Sequence, residues 1–184
     1  MKKQSTFLYV LRLAVTLLLI TAVTAGALAW INSITKDRIA AEKARKTAEA
    51  LSAVLLGGGE EIDVPAVDVG IPVNRLYRGE NGYAVEVAPS GFGGSITMMV
   101  GVDFEGNILG VSVVSHTETA GLGAVAGDKT SKGEAFRSQY EGLSGQLAVS
   151  KDGGVIDAIS GATITSRAVT EGVNAALAMV ANMG

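Results

Sequence analysis

Residues 13–31 carry no charged side chain and are mostly apolar, and about 20 such residues are what a helix needs to cross the hydrocarbon core of a bilayer. Any fold for this chain must either bury that run or give it to lipid. Burial as a core helix is a poor solution, because the run is apolar on every side and not along one stripe. A cleaved secretory signal is the sharper rival, since Lys2 and Lys3 form a charged start and Ala27-Leu28-Ala29 offers small residues for cleavage. The run is longer than a usual signal core, however, and helix-forming sequence follows it directly. An uncleaved transmembrane helix over residues 13–31 is therefore expected, with Arg12 able to snorkel at one end and Trp30 suited to the interface at the other.

With 184 residues, 48% of them hydrophobic, the chain has room for such an anchor and one further domain with its own core. A net charge of -3 and the lack of a basic stripe interleaved with aromatics disfavour a nucleic-acid partner. The chain has no cysteine and one histidine, His116. That excludes cysteine-ligated iron–sulfur clusters, thiol redox chemistry, Cys/His zinc sites and bis-histidine haem. If this protein moves electrons, an organic cofactor is the natural carrier.

After the anchor, residues 35–56 have a helical pattern, with Ala40, Ala44, Ala48, Leu51 and Leu55 on one stripe and oppositely charged pairs four apart, such as Arg45 with Glu49. Residues 32–59 read as a helical stalk, ended by Gly57-Gly58-Gly59. Its charges make a solvated face, or its alanines meet a partner helix. Residues 60–184 form the folded domain. Residues 60–74, with Pro65 and Pro72, read as a loop or edge strand. Alternation at Tyr83, Val85 and Val87, and two runs over 95–103 and 108–115 joined by Phe104-Glu105-Gly106-Asn107, predict strands and a hairpin. A short helix is expected over 132–140, a strand over 146–149, and a terminal helix from Thr165 or Ser166 to about Asn182 that buries Val169, Val173, Leu177 and Val180. Strands followed by helices indicate an α+β fold: an antiparallel sheet with flanking helices.

Three segments carry chemistry. In Asp157-Ala158-Ile159-Ser160-Gly161-Ala162-Thr163-Ile164-Thr165-Ser166, hydroxyl side chains cluster just before the terminal helix, whose free N–H groups favour an anion such as phosphate. Gly161 lets the backbone come close, and Ser160 and Thr165 offer hydroxyl donors. Taken alone, such a segment is more often a plain turn with a cap. The second segment, His116-Thr117-Glu118-Thr119-Ala120-Gly121-Leu122-Gly123, is a glycine-bearing loop at a strand end. The third, Gly91-Phe92-Gly93-Gly94-Ser95-Ile96, is by itself a glycine turn. Phe92, Phe104, Phe136, Tyr83 and Tyr140 are possible ring neighbours, with core packing the simpler role for each.

Together and in this order, the three segments resemble the FMN-binding domain family. The resemblance implies that Thr163, the last residue of Ser160-Gly161-Ala162-Thr163, holds FMN as a covalent phosphoester installed by a separate flavin transferase from FAD. Asp157 matches the acidic residue that opens the family's pattern. The loop resembles H-x-E-T-P-G-L-G, which places Glu118, Thr119, Leu122 and Gly123 against the flavin ring, with Ala120 departing from the usual proline. Taken alone, a histidine before such a loop is more often a strand-end hydrogen-bonding residue than a catalyst, and His116 is assigned no proton-transfer role. A single span, a stalk and one such domain look most like the G subunits of Rnf-type ion-translocating electron-transport complexes. The similar C subunit of Na+-translocating NADH:quinone reductase is generally longer.

That resemblance implies other membrane and peripheral subunits, the transferase and membrane lipid as partners. It also implies a relay role in coupling ferredoxin/NAD electron transfer to Na+ or H+ translocation, without NAD binding by this chain and without catalysis by it alone. Orientation draws two opposed expectations. Lys36, Arg38, Lys43, Arg45 and Lys46 after the span outnumber Lys2, Lys3 and Arg12 before it, which by positive-inside counting puts the domain in the cytoplasm. The family places residues 1–12 in the cytoplasm and the domain outside the inner membrane, and long domains translocate largely regardless of charge; the family is followed. Two other classes stay open on residues alone. One is a membrane-anchored binding or assembly module without flavin. The other is a hydrolase using Ser115 or Ser160 with His116 and an aspartate, which no nucleophile-elbow pattern supports.

Overall fold

A computed structural model describes residues 2–183. Helix α1 spans Lys2–Val54, followed by strands β1 (Glu60–Ile62), β2 (Val73–Arg78), β3 (Gly82–Val87), β4 (Thr97–Asp103) and β5 (Ile108–Ser115), then helices α2 (Ser131–Ser138) and α3 (Thr163–Ala181). The chain divides into two compact units after Ala44.

The first unit is helical, and its apolar side chains stand exposed: Leu17, Leu18, Val23, Leu28 and Trp30 face outward together. Hydroxyl side chains along it bond back to the helix. Thr16 Oγ1 donates to the Arg12 carbonyl at 2.8 Å and Thr24 Oγ1 to that of Ile20 at 2.9 Å, which is what a hydroxyl in a medium without water requires.

In the second unit the five strands form one antiparallel meander in the order β1-β2-β3-β4-β5, each paired with its sequence neighbour. Period-two alternation sorts the side chains. Leu76, Val85, Val87, Met98, Val100 and Val102 point to one face, where Val169, Val173, Ala176 and Met179 of α3 cover them. Tyr77, Ala84, Met99 and Val114 point to the other, where the last turns of α1 close over them. The buried positions there are Thr47, Ala50, Val54 and Leu55, with Leu51 packed against them. Gly101 of β4 makes this fit possible, because a Cβ there would collide with the Val54 carbonyl. Fully burying an aliphatic side chain is worth about 1.5–3 kcal/mol. An exposed i,i+4 pair such as Arg45–Glu49, which forms at 2.6 Å, is worth only about 0.3–0.5 kcal/mol. Val54 and Leu55 therefore dominate the docking of this helix end.

Several expectations are corrected. Along the stripe read in α1, Leu55 is buried and Leu51 partly so, while Ala40, Ala44 and Ala48 are exposed. The α1 helix closes at Val54, two residues before the expected end. The span 60–74, expected as a loop or edge strand, does hold the edge strand β1, then a loop and the start of β2. The stretch 146–149 is not a strand: Leu147 gives its N–H to Asn174 Oδ1 at 2.9 Å and its carbonyl accepts from Asn174 Nδ2 at 2.8 Å, so a side chain of α3 replaces a strand partner. Only an isolated parallel bridge joins Val149 to Ile156. The last helix starts at Thr163, with Ala162 as N-cap, so Thr165 and Ser166 lie inside its first turns.

Candidate functional site

Ser166 shapes the approach to α3. Its buried hydroxyl accepts from the Ile159 N–H at 3.0 Å and donates to the Ala162 carbonyl at 3.0 Å, closing the chain before the helix into a loop. Gln139 clasps that loop from outside, accepting from the Asp157 N–H at 2.7 Å and donating to the Asp157 carbonyl at 3.2 Å. Gly161 makes the final bend at φ +77°, a left-handed conformation that costs glycine nothing. The N-cap Ala162 has no side chain able to accept, so the first N–H groups of α3 lack the usual side-chain cap.

The two upstream segments meet this helix through Glu118. Its Oε1 accepts from the Gly93 N–H at 2.8 Å and its Oε2 from Thr165 Oγ1 at 2.5 Å, while Thr117 Oγ1 donates to the Gly93 carbonyl at 2.9 Å. Gly123 must be glycine here, because a Cβ would strike both Glu118 Oε2 and Thr165 Oγ1. Three segments far apart in the chain are thus joined by one carboxylate. The Glu118 carboxylate, expected to order a ring edge, is engaged on the protein, and the Thr165 hydroxyl, expected as a phosphate donor, is given to that carboxylate. His116 Nδ1 accepts from the Glu118 N–H at 3.3 Å, a local strand-end contact.

The result is a cleft of about 340 Å³ lined by Glu118, Thr119, Leu122, Gly123, Gly161, Ala162, Thr163 and Thr165, with Phe92 and Ile164. Ser160, expected as a hydroxyl donor, and Asp157 lie apart, together in a neighbouring cleft. Phe92 is 71% exposed, Ile164 51% and Leu122 45%. Phe92 therefore has no core role, whereas Phe136 and Tyr140 are buried. Ile164 and Lys151 are the contributors that the sequence reading missed. Lys151 Nζ donates to Thr163 Oγ1 at 3.0 Å, and beside it Arg167 makes two bonds to Asp152, at 2.6 and 2.7 Å. Those bonds hold the Asp152 carboxyl below the usual range. A larger groove of about 460 Å³ lies against Arg45, Lys46, Glu49 and Lys129 and shares only His116 with the three segments.

Residues 1–54 match the family described as the RnfG N-terminal region, and residues 91–178 match the FMN-binding domain, a span that includes all three segments. The G subunit of the ion-translocating oxidoreductase complex of Yersinia pestis is 37% identical, the alignment covering 90% of this chain and 88% of the relative. Its counterpart from Photorhabdus laumondii is 35% identical over 88% and 86%. The chain belongs to the family of G subunits of ion-translocating oxidoreductase complexes. A third member, the G subunit of the Na(+)-translocating ferredoxin:NAD(+) oxidoreductase complex of Acetobacterium woodii, is 32% identical over 99% of this chain and 97% of its own.

The residues of this G subunit fit the FMN that its domain family binds. Phe92, Leu122 and Ile164 give an exposed apolar rim, of a kind a solvated surface rarely keeps without use. Thr163, in the first turn of α3 that has no side-chain cap, lines the same cleft, and such a helix start favours a phosphate. A cleft mostly apolar with a few convergent polar groups is the ordinary form of a cofactor site.

Proposed function

We propose that this chain is a membrane-anchored flavoprotein subunit that carries FMN as a phosphoester on Thr163 and relays electrons within an ion-translocating oxidoreductase complex. One observation carries the reading: Thr163, the only residue in the family's attachment position, lies in the cleft that the other two segments complete. FMN supplies one- and two-electron chemistry that no side chain here offers. The chain supplies the hydroxyl for attachment, the apolar rim for the ring and, through Glu118, the clasp that keeps the cleft together. Attachment by a flavin transferase makes every rebinding of the flavin intramolecular, which suits a domain from which free flavin would be diluted away.

The reading extends to topology and partners. Residues 13–31 form a single transmembrane helix, residues 1–12 lie in the cytoplasm, residues 32–59 form the stalk, and residues 60–184 lie outside. The partners are the other subunits of an Rnf-type complex, the transferase and lipid. The complex couples electron transfer between ferredoxin and NAD to Na+ or H+ movement, and this subunit turns over no substrate alone. Thr163→Ala tests the attachment. The variant is expected to fold and insert but to lack covalent flavin, because the site needs a hydroxyl nucleophile, and Thr163→Ser is expected to retain part of the labelling. Full occupancy in Thr163→Ala overturns the assignment.

A further inference from the structure

Lys151 sits in a short turn, Ser150–Asp152, that is fastened at both ends. On one side Val149 bridges Ile156, and the Ser150 N–H donates to the Ile156 carbonyl at 2.7 Å. On the other, Asp152 takes both bonds from Arg167, which lies one helical turn beyond Thr163 on the same face of α3. The clamp between 152 and 167 leaves the adjacent Lys151 directed at Thr163, whose Oγ1 is 3.0 Å from Nζ. An exposed lysine pinned to a neutral hydroxyl loses side-chain entropy for a weak contact. The same geometry with an anion on that hydroxyl makes a charge-assisted bond. The Arg167 charge is already matched by Asp152, whereas the hydrogen-bond partner of Lys151 among the described residues is the uncharged Thr163.

We propose that Lys151 is a phosphate-positioning residue: its ammonium orients the Thr163 hydroxyl for esterification and then pairs with the phosphodiester that results. The inference rests on the Thr163 reading above and adds to it a residue that the attachment segment does not contain. In the transfer, Thr163 Oγ forms a bond to the FMN phosphorus of FAD, the P–O bond to the AMP half breaks, AMP leaves, and the hydroxyl proton passes to solvent. No electron is gained or lost. The ammonium, already donating to Oγ, is within reach of the non-bridging oxygens once the ester forms, and the diester's single negative charge matches its single positive one. A lysine acts here as a point charge, so arginine is expected to substitute for it in large part.

The test uses the full-length chain in detergent with FAD and a flavin transferase, reading covalent flavin by in-gel fluorescence after denaturation. Lys151→Met is expected to slow labelling by about tenfold, in keeping with one charge-assisted bond. Lys151→Arg is expected to restore most of the rate, with the melting temperature of the unlabelled chain unchanged in both. Once labelled, Lys151→Met is expected to show a displaced 31P resonance and Lys151→Arg a resonance near that of wild type. Wild-type labelling by Lys151→Met, equal slowing in Met and Arg variants, or a 31P resonance indifferent to residue 151 each overturns the proposal. Thr163→Ala, run in parallel, separates the two readings. Labelling there removes the attachment site itself, whereas its absence together with an indifferent Lys151→Met removes only the role of the lysine.

Discussion

Thr165 Oγ1 donates to Glu118 Oε2 across 2.5 Å, and this bond joins two segments 47 residues apart in the chain. With the Gly93 N–H on the other oxygen, Glu118 is left with acceptor work at both atoms. Glu118→Gln substitutes an NH2 group that cannot accept, so one of the two bonds is lost. The expected cost is about 1–3 kcal/mol, read as a lower melting temperature of the full-length chain. In labelled protein the flavin midpoint potential rises as well, because a negative charge beside the cleft has gone. Gly123→Ala, whose Cβ collides with the same pair, is expected to lower the melting temperature without changing any charge. An unchanged melting temperature in both variants would show that the clasp holds nothing.

The Asp152–Arg167 pair gives an acid-side signature. Arg167 lowers the Asp152 carboxyl from its ordinary value. A depressed folded value means that the pair's contribution is present above the unfolded carboxyl, about pH 3.9, and is lost as pH falls through the lower folded value. At neutral pH the turn bearing Lys151 is therefore fully clamped. Carboxyl NMR is expected to place the Asp152 midpoint below that of an exposed aspartate and to return it to the ordinary range in Arg167→Ala. A midpoint indifferent to Arg167 contradicts the clamp.

Tyr140 gives an alkaline one. Thr170 Oγ1 donates to the Ser166 carbonyl at 2.9 Å, so in the 2.8 Å contact between the two hydroxyls Tyr140 is the donor. Burial pushes the Tyr140 phenol up to about 12. A raised folded value means that stability is fully present below the unfolded phenol, about pH 10, and is lost as pH rises from there through about 12. Tyr140→Phe is expected to cost about 1 kcal/mol at neutral pH and to flatten the decline above pH 10 in a denaturation series.

The hairpin of β4 and β5 was legible because two apolar, valine-bearing runs flank a short glycine-bearing turn, although β4 is buried on both faces. Strand β2 was not, since Leu76 and Tyr77 are both buried, one on each face of the sheet, which erases the alternation. The start of α3 was misplaced by two residues because the real N-cap, Ala162, sends no signal, while Thr165 and Ser166 look like caps but bond elsewhere. Thr163, Gly161 and the loop of residues 117–123 were legible as local patterns. Lys151 was not, because its relation to Thr163 exists only after the turn has been clamped to the helix.

Topology is open to a direct check. A reporter that is active only in the cytoplasm, fused after Gly184, is expected to stay inactive, because the reading places the flavin domain outside despite the excess of lysine and arginine after the span. An active fusion would make the positive-inside count the better guide.

The most direct test of the central claim is the intact mass of the full-length chain, purified from its host and denatured before measurement. The account predicts the mass of the polypeptide plus one FMN less one water, with fragmentation assigning the addition to Thr163. An unmodified mass, or a flavin found on another residue, would contradict it.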